Sequence, residues 1–329
     1  MKLATVLTPL SDVNLQLAAQ CGVEEVVARY PRGGRDELRE TVARVARFGL
    51  KVGVVEGYLP IEEIKRGRDD GRELQAVRDL LGAMAELQIP LLCYNFMAGT
   101  DWVRTRLDAP ERGGAKTTEF RLADVARAMS LSQTTGPLVE ERITADELWR
   151  NLAHFLDGVL PEAERLGVTL AMHPDDPPLA QFQGRDRIMN SVEAFERLMA
   201  LRPSPRNKIC FCQGTFAEMG VDIPQAIHRL GPHIAYVHFR DVRGTADDFV
   251  ETFHDNGPTD MAAAMRAYRE VGFRGSMRPD HVPQLVGEDD GEPGYTTLGR
   301  LFAWGYMRGL MQATAPALAP APAAPRASR

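Results

Sequence analysis

The sequence predicts an α/β barrel of eight parallel strands, and three observations carry the prediction. Short apolar runs alternate with longer amphipathic ones, eight such short runs can be counted, and the last four each end at or near a residue able to bind a metal ion. Strands alternating with helices form parallel βαβ units, and a count of eight favours closure into a barrel over an open sheet. The length of 329 residues would suit two average domains, but one barrel of this kind also fills it.

The predicted strands are residues 3–7, 25–28, 52–56, 90–94, 169–173, 208–212, 234–238 and 275–278. Each is bounded by Gly, Pro or a polar cluster, and several are rich in Val and Ile. The clearest helix is predicted over 145–165. It opens on Thr144-Ala145-Asp146-Glu147, a capping-box pattern, and its Leu148, Leu152, Phe155, Leu156 and Val159 recur at helical spacing. The stretch 107–142, with Gly113-Gly114 and Thr134-Thr135-Gly136-Pro137, is too long for a simple connection. It follows the fourth strand, where a barrel's active-site loops lie, so it is expected to form a lid with a short helix around 121–129. Residues 1–314 then form one TIM-barrel domain, and the Ala/Pro-rich stretch 315–329 is expected to be a disordered tail.

Composition narrows the class of partner. The chain is 44% hydrophobic and 26% charged with a net charge of −6, ordinary for a globular protein and no invitation to nucleic acid. The basic run Lys65-Arg66-Gly67-Arg68 is followed by Asp69 and Asp70 and reads as a solvated face. Four cysteines are too few for a disulfide framework, and Cys210 and Cys212, one residue apart, are poor partners for each other. A reduced, cytoplasmic protein is expected. The apolar run in Met1 to Leu7 is too short for a signal peptide, and no stretch reaches the ~18 apolar residues of a membrane span. The expected partner is a small molecule, with no nucleic acid and no membrane.

His173 ends the fifth strand, Cys212 the sixth and His238 the seventh; Asp280 follows the eighth. In an α/β barrel the C-terminal ends of the strands meet at one rim, where catalytic residues gather. Taken singly, each has a plainer reading: a structural histidine, a small buried thiol, a helix cap. Four such residues at four successive strand ends make those readings jointly weak. Two imidazoles, a thiolate and a carboxylate suit one divalent transition metal, Mn²⁺, Fe²⁺, Co²⁺ or Zn²⁺, better than an all-oxygen site for Ca²⁺ or Mg²⁺. His154, His228 and His233 are expected to be structural or surface residues. Glu56, ending the third strand, is expected to face away from the cavity.

Several strings carry a family resemblance: Leu92-Cys93-Tyr94-Asn95-Phe96-Met97 with Asp101-Trp102-Val103-Arg104-Thr105; His173-Pro174-Asp175-Asp176-Pro177-Pro178; Phe249-x-Glu251-Thr252-x-His254; Arg278-Pro279-Asp280-His281; and Gly294-Tyr295 with Gly299-Arg300. From about Val54 to Gly309 the chain resembles the mannonate dehydratase family, one of the xylose-isomerase-like barrels. The resemblance implies dehydration of D-mannonate to 2-keto-3-deoxy-D-gluconate with Mn²⁺ or a related divalent ion. It assigns the ligand positions to the same His173, Cys212, His238 and Asp280, a catalytic histidine to His281 and an active-site tyrosine to Tyr295. A homo-oligomer, dimer or higher, is also expected. The chain departs from the family at Ala4-Thr5-Val6-Leu7-Thr8-Pro9, where the family carries an aromatic-Arg-Trp string. It departs again at Val282 in place of Gly, at Arg185-Asp186-Arg187-Ile188, and in a shorter lid. The metal and catalytic core is thus expected to be kept, with parts of the substrate shell altered.

Removing the C2 proton of a sugar acid and expelling the C3 hydroxyl needs charge stabilisation and proton transfer. His281, with an ordinary pKa of about 6.5, suits the proton transfer, and Tyr295 could supply the second group. Asn95 and Tyr94 either hydrogen-bond the substrate or only shape the loop, and His254 either contacts the substrate or lies in a surface loop. Arg278 either grips the substrate carboxylate or forms a structural ion pair under the eighth strand. Asp175 and Asp176 either orient imidazoles or shape the turn. Two other readings are a divalent-metal sugar isomerase or epimerase of the same barrel group, and a sugar-acid-binding paralogue without turnover.

Overall fold

A computed structural model of the chain describes residues 1–131 and 141–315. Eight strands pair in sequence order, all parallel: β1 (Lys2–Thr5), β2 (Glu25–Ala28), β3 (Lys51–Glu56), β4 (Leu91–Tyr94), β5 (Thr169–Met172), β6 (Asn207–Cys212), β7 (Ile234–Phe239) and β8 (Ser276–Pro279). The barrel closes where β1 meets β8, Lys2 opposite Ser276 and Leu3 opposite Met277. Each predicted strand coincides with one of these to within two residues at either end.

Strand alternation sorts the side chains into two cores. Inward-facing Ala4, Val54, Cys93, Ala171, Cys210 and Tyr236 fill the barrel, several of them small enough for its narrow interior. Outward-facing Val26, Val55, Leu92, Ile209, Phe211, Val237 and Met277 pack under the helices. The predicted long helix spans Ala145–Leu166, and its capping box is formed: Thr144 accepts from the Glu147 amide while Glu147 reaches back to the Thr144 amide. Its Leu148, Leu152, Phe155, Leu156 and Val159 are all buried. Each such side chain contributes about 1.5–3 kcal/mol by leaving water. No helix among the described residues is long and apolar enough to cross a membrane.

The insertion after β4 differs from the expected loop. Arg106–Pro110 and Lys116–Arg121 form a hairpin that joins two strands following β7, Val242–Thr245 and Asp248–Glu251, in a four-stranded antiparallel sheet. Phe120, Phe249, Phe182 and Val103 give this sheet its own apolar core. The short helix expected at 121–129 is a pair of 3₁₀ turns over Leu122–Arg127. Thr134 to Pro137 and the tail from residue 316 lie outside the described residues. The sheet's consequence for function is direct: it carries Glu251, and Trp102 and Arg104 just before it, to the C-terminal rim of the barrel.

Candidate metal centre and active site

Strand register assembles the rim. Cys212 on β6 lies opposite His238 on β7, and His238 opposite Arg278 on β8. Asp280, two residues past Arg278, shares its face. His173 directly follows β5. His173 Nε2 comes within 3.2 Å of His238 Nδ1, Cys212 Sγ within 3.7 Å of Asp280 Oδ2, and His238 Nδ1 within 3.7 Å of the same oxygen. Donor atoms of His173, Cys212 and His238 all lie within 4.8 Å of one another.

The donor set fits a divalent transition ion. His173 Nδ1 is turned to the Pro174 carbonyl at 2.7 Å, and His238 Nε2 to Glu56 Oε2 at 3.3 Å. These outer partners orient both rings and leave His173 Nε2 and His238 Nδ1 facing each other. Burial pushes the Cys212 thiol up, but the Arg240 guanidinium and His173 outweigh it and hold the thiol well below its usual range. Burial pulls His173 down, yet the Cys212 thiolate overrides it and raises the imidazole to about 9. Burial works against the Asp280 carboxylate too, and Arg278 and His281 nonetheless hold it well below the usual range. The pocket is thus built around anionic donors that attract positive charge. A second group, Cys93, Cys210 and His238, lies deeper in the barrel. Burial holds the Cys210 thiol well above its ordinary value, which keeps it protonated, so the first set is the better ligand field.

Beside the ligands stands His281. Its Nδ1 pairs with Glu251 Oε1 at 2.8 Å, and Trp102 stacks on its ring at 4.1 Å between centroids. The Tyr295 ring meets it edge-on at 5.5 Å. Burial raises the Tyr295 phenol, so it stays protonated at neutral pH. Behind these residues Arg240 and Arg104 bind Asp176 and Glu251 in a fully buried network, and Arg240 also holds Asp280 at 3.0 Å. Glu218 closes the network 3.1 Å from Arg240, its carboxyl pushed well up by burial and by nearby Asp176. His173, His238, Asp280, His281, Tyr295 and Asn95 all line one cavity of about 470 Å³. That is the ordinary scale of a small-molecule site.

The family model described as D-mannonate dehydratase (UxuA) matches residues 7–318. The chain belongs to the mannonate dehydratase family. It is a hydro-lyase that dehydrates a sugar acid. It is 32% identical to a mannonate dehydratase of Oceanobacillus iheyensis, covering 84% of this chain and 85% of that one. It is 30% identical to mannonate dehydratase 2 of Halalkalibacterium halodurans, covering 91% and 93%. Among solved structures, mannonate dehydratase from Streptococcus suis serotype 2 superposes with a TM-score of 0.84 at 29% identity, covering 95% of each chain. A D-tagatose 3-epimerase-like protein, at a TM-score of 0.62 and 12% identity, shares the barrel fold alone.

The substrate contacts expected from sequence fare unevenly. Asn95 lines the cavity, where it accepts from Lys65 Nζ at 3.1 Å and donates to Asp101 at 3.3 Å. Tyr94 also lines the cavity, while its ring packs on Phe155 of the long helix, 5.2 Å away. Arg278 is the structural ion pair: it donates to Glu56 at 2.7 Å, Asp280 at 2.6 Å and the Tyr236 hydroxyl at 2.9 Å. Glu56 faces inward, contrary to expectation, and orients His238. His254 is buried near Phe239, not among the cavity-lining residues, and its ring nitrogens make no well-formed hydrogen bond among the described residues. His154 and His228 are exposed and pair with Asp69 and Glu270. Asp175 accepts from the Met189 amide and shapes the turn, whereas Asp176 anchors the arginine network.

Arg240 and Glu251 escaped the sequence reading. Arg240 had a signal, since it lies two residues past His238 and so shares its face. Glu251 sat within a quoted string, but nothing local says that a strand from a separate sheet would meet His281. Glu218 had no sequence signal.

Proposed function

We propose that this chain dehydrates D-mannonate to 2-keto-3-deoxy-D-gluconate, with His173, Cys212, His238 and Asp280 holding one Mn²⁺ and His281 and Tyr295 moving the protons. The observation that carries this reading is the convergence of two imidazoles, a thiolate and a carboxylate beside a carboxylate-held histidine at one rim of the barrel. A divalent ion at these donors supplies Lewis-acid stabilisation for charge developing on the substrate carboxylate and a neighbouring hydroxyl.

The protein's share of the reaction is proton transfer and positioning. The C2–H bond breaks and its proton goes to a base. The C3–O bond breaks with its electron pair on oxygen, which takes up a proton and leaves as water. The resulting enol tautomerises to the 2-keto acid. His281 works at Nε2, because Nδ1 is tied to Glu251. Glu251 steadies the ring, as a carboxylate does for a catalytic imidazole. The Tyr295 hydroxyl is the second proton-transfer group. Trp102, stacked on His281, keeps water off that face of the ring. Asn95, held by Lys65 and Asp101, offers its amide to a substrate hydroxyl.

The test is to incubate the Mn²⁺-loaded protein with a panel of C5 and C6 aldonates and to detect 2-keto-3-deoxy acids. Product from D-mannonate is expected. Absence of product from D-mannonate, with another aldonate turned over, would reassign the substrate; absence from every aldonate would overturn the reading.

A further inference from the structure

Four cationic side chains line the cavity: Arg29, Arg32, Lys65 and Arg278. Two are fully engaged within the protein. Lys65 Nζ donates to Glu62 at 2.8 Å, to Asn95 at 3.1 Å and to the Met97 carbonyl at 3.1 Å, which uses its three protons. Arg278 spreads its donors over Glu56, Asp280, Tyr236 and the Pro279 carbonyl. Arg32 stands exposed at the mouth.

Arg29, one residue past β2, is different. It makes no hydrogen bond among the described residues. Its ionic neighbour Glu56 is 3.6 Å away, and that carboxylate is already taken by Arg278 at 2.7 Å. Arg278 bridges Glu56 and Asp280, which leaves Arg29 without a hydrogen-bonded carboxylate of its own. Yet the side chain is well fixed. Its guanidinium lies 5.4 Å from the Tyr58 ring centre and 5.3 Å from that of Tyr295. Gly57, at φ +80°, lets the chain turn close behind it, and a Cβ there would come within 3.3 Å of Arg29 Nη1. The side chain is 30% exposed, so its unspent donors are open to a ligand in the cavity. Its neighbour Tyr295 places that ligand at the reacting end of the site.

We propose that Arg29 is the carboxylate-binding residue of this site, its planar fork taking the substrate's carboxylate through two N–H donors. The inference rests on the sugar-acid reading above. A carboxylate matches the geometry of the fork. The alternative, Arg278, has its donors committed.

The experiment uses Mn²⁺-loaded Arg29→Gln and Arg29→Lys, with metal content checked by elemental analysis and fold by circular dichroism. A lost charge-assisted pair is expected to raise KM for D-mannonate roughly 10–100-fold in Arg29→Gln, with a smaller fall in kcat. Arg29→Lys, which keeps the charge but not the fork, should recover part of that loss. Unchanged KM in Arg29→Gln would overturn the proposal. So would an equal loss in both variants confined to kcat, which would mark Arg29 as a support for Tyr295. Should the wild type turn over no aldonate, the dehydratase reading fails; the Arg29 proposal then stands or falls on whether equilibrium binding of D-mannonate weakens in Arg29→Gln.

Discussion

His281 Nδ1 lies 2.8 Å from Glu251 Oε1, and the other oxygen of that carboxylate accepts from Arg240 Nη1 at 3.0 Å. Arg240 in turn donates to Asp280, placed among the metal ligands. One buried guanidinium therefore ties His281, the proposed proton-transfer residue, to the proposed ion site. The arrangement fixes the imidazole with Nε2 3.8 Å from Asp280 Oδ1.

Glu251→Gln keeps the shape of the contact and removes its charge. We expect kcat for D-mannonate to fall roughly 10–100-fold, the usual cost of losing an orienting carboxylate behind a functional imidazole. Metal content by elemental analysis should stay at the wild-type level. Wild-type turnover in this variant would mean that Glu251 is only structural.

His281→Asn separates chemistry from metal binding. Loss of a general acid or base costs about 10²–10⁴-fold in rate, so kcat should fall within that range while the bound ion remains. A variant with near wild-type kcat would assign the proton transfer elsewhere.

Cys212→Ala and His238→Ala should lose ion and activity together. Wild-type protein should also melt at a lower temperature after chelation, because an ion that binds the folded state stabilises it. Calorimetry of the two variants should show no such shift with chelator. Full ion occupancy in either variant would remove that residue from the ligand set.

His254 makes stability depend on pH. Burial lowers its imidazole from 6.5 to about 4, against the raising influence of the Phe239 carbonyl, Asp280, Glu251 and Asp255. Between those two pH values the unfolded chain binds a proton that the folded one does not. Its contribution is therefore whole above pH 6.5 and is lost as pH falls towards 4, by about 3 kcal/mol at most. Substituting Asn for His254 should flatten that part of the Tm-against-pH curve. An unaltered slope would show that other groups set the acid limit.

The sequence by itself determined the barrel, the long capped helix and the four strand-end residues His173, Cys212, His238 and Asp280. Each depends on local pattern: apolar runs of strand length, a Thr144–Glu147 box, and the rule that parallel strands deliver their C-terminal ends to one rim. Strand alternation would also have turned Tyr94 outward and drawn Arg240 to the face of His238, had it been applied residue by residue. Tertiary structure alone decided the rest. The pairing of Glu251 with His281 joins residues 30 apart in sequence, through an antiparallel sheet built on the insertion. Arg278 and Arg29 are both arginines at strand ends, and nothing in their neighbours says which has spent its donors. That depends on Glu56, Asp280 and Tyr236 meeting Arg278 across the barrel. Hydrogen-bond satisfaction is a property of the three-dimensional neighbourhood, so a chain read in one dimension could name the charged groups but not which of them remain free to hold a ligand.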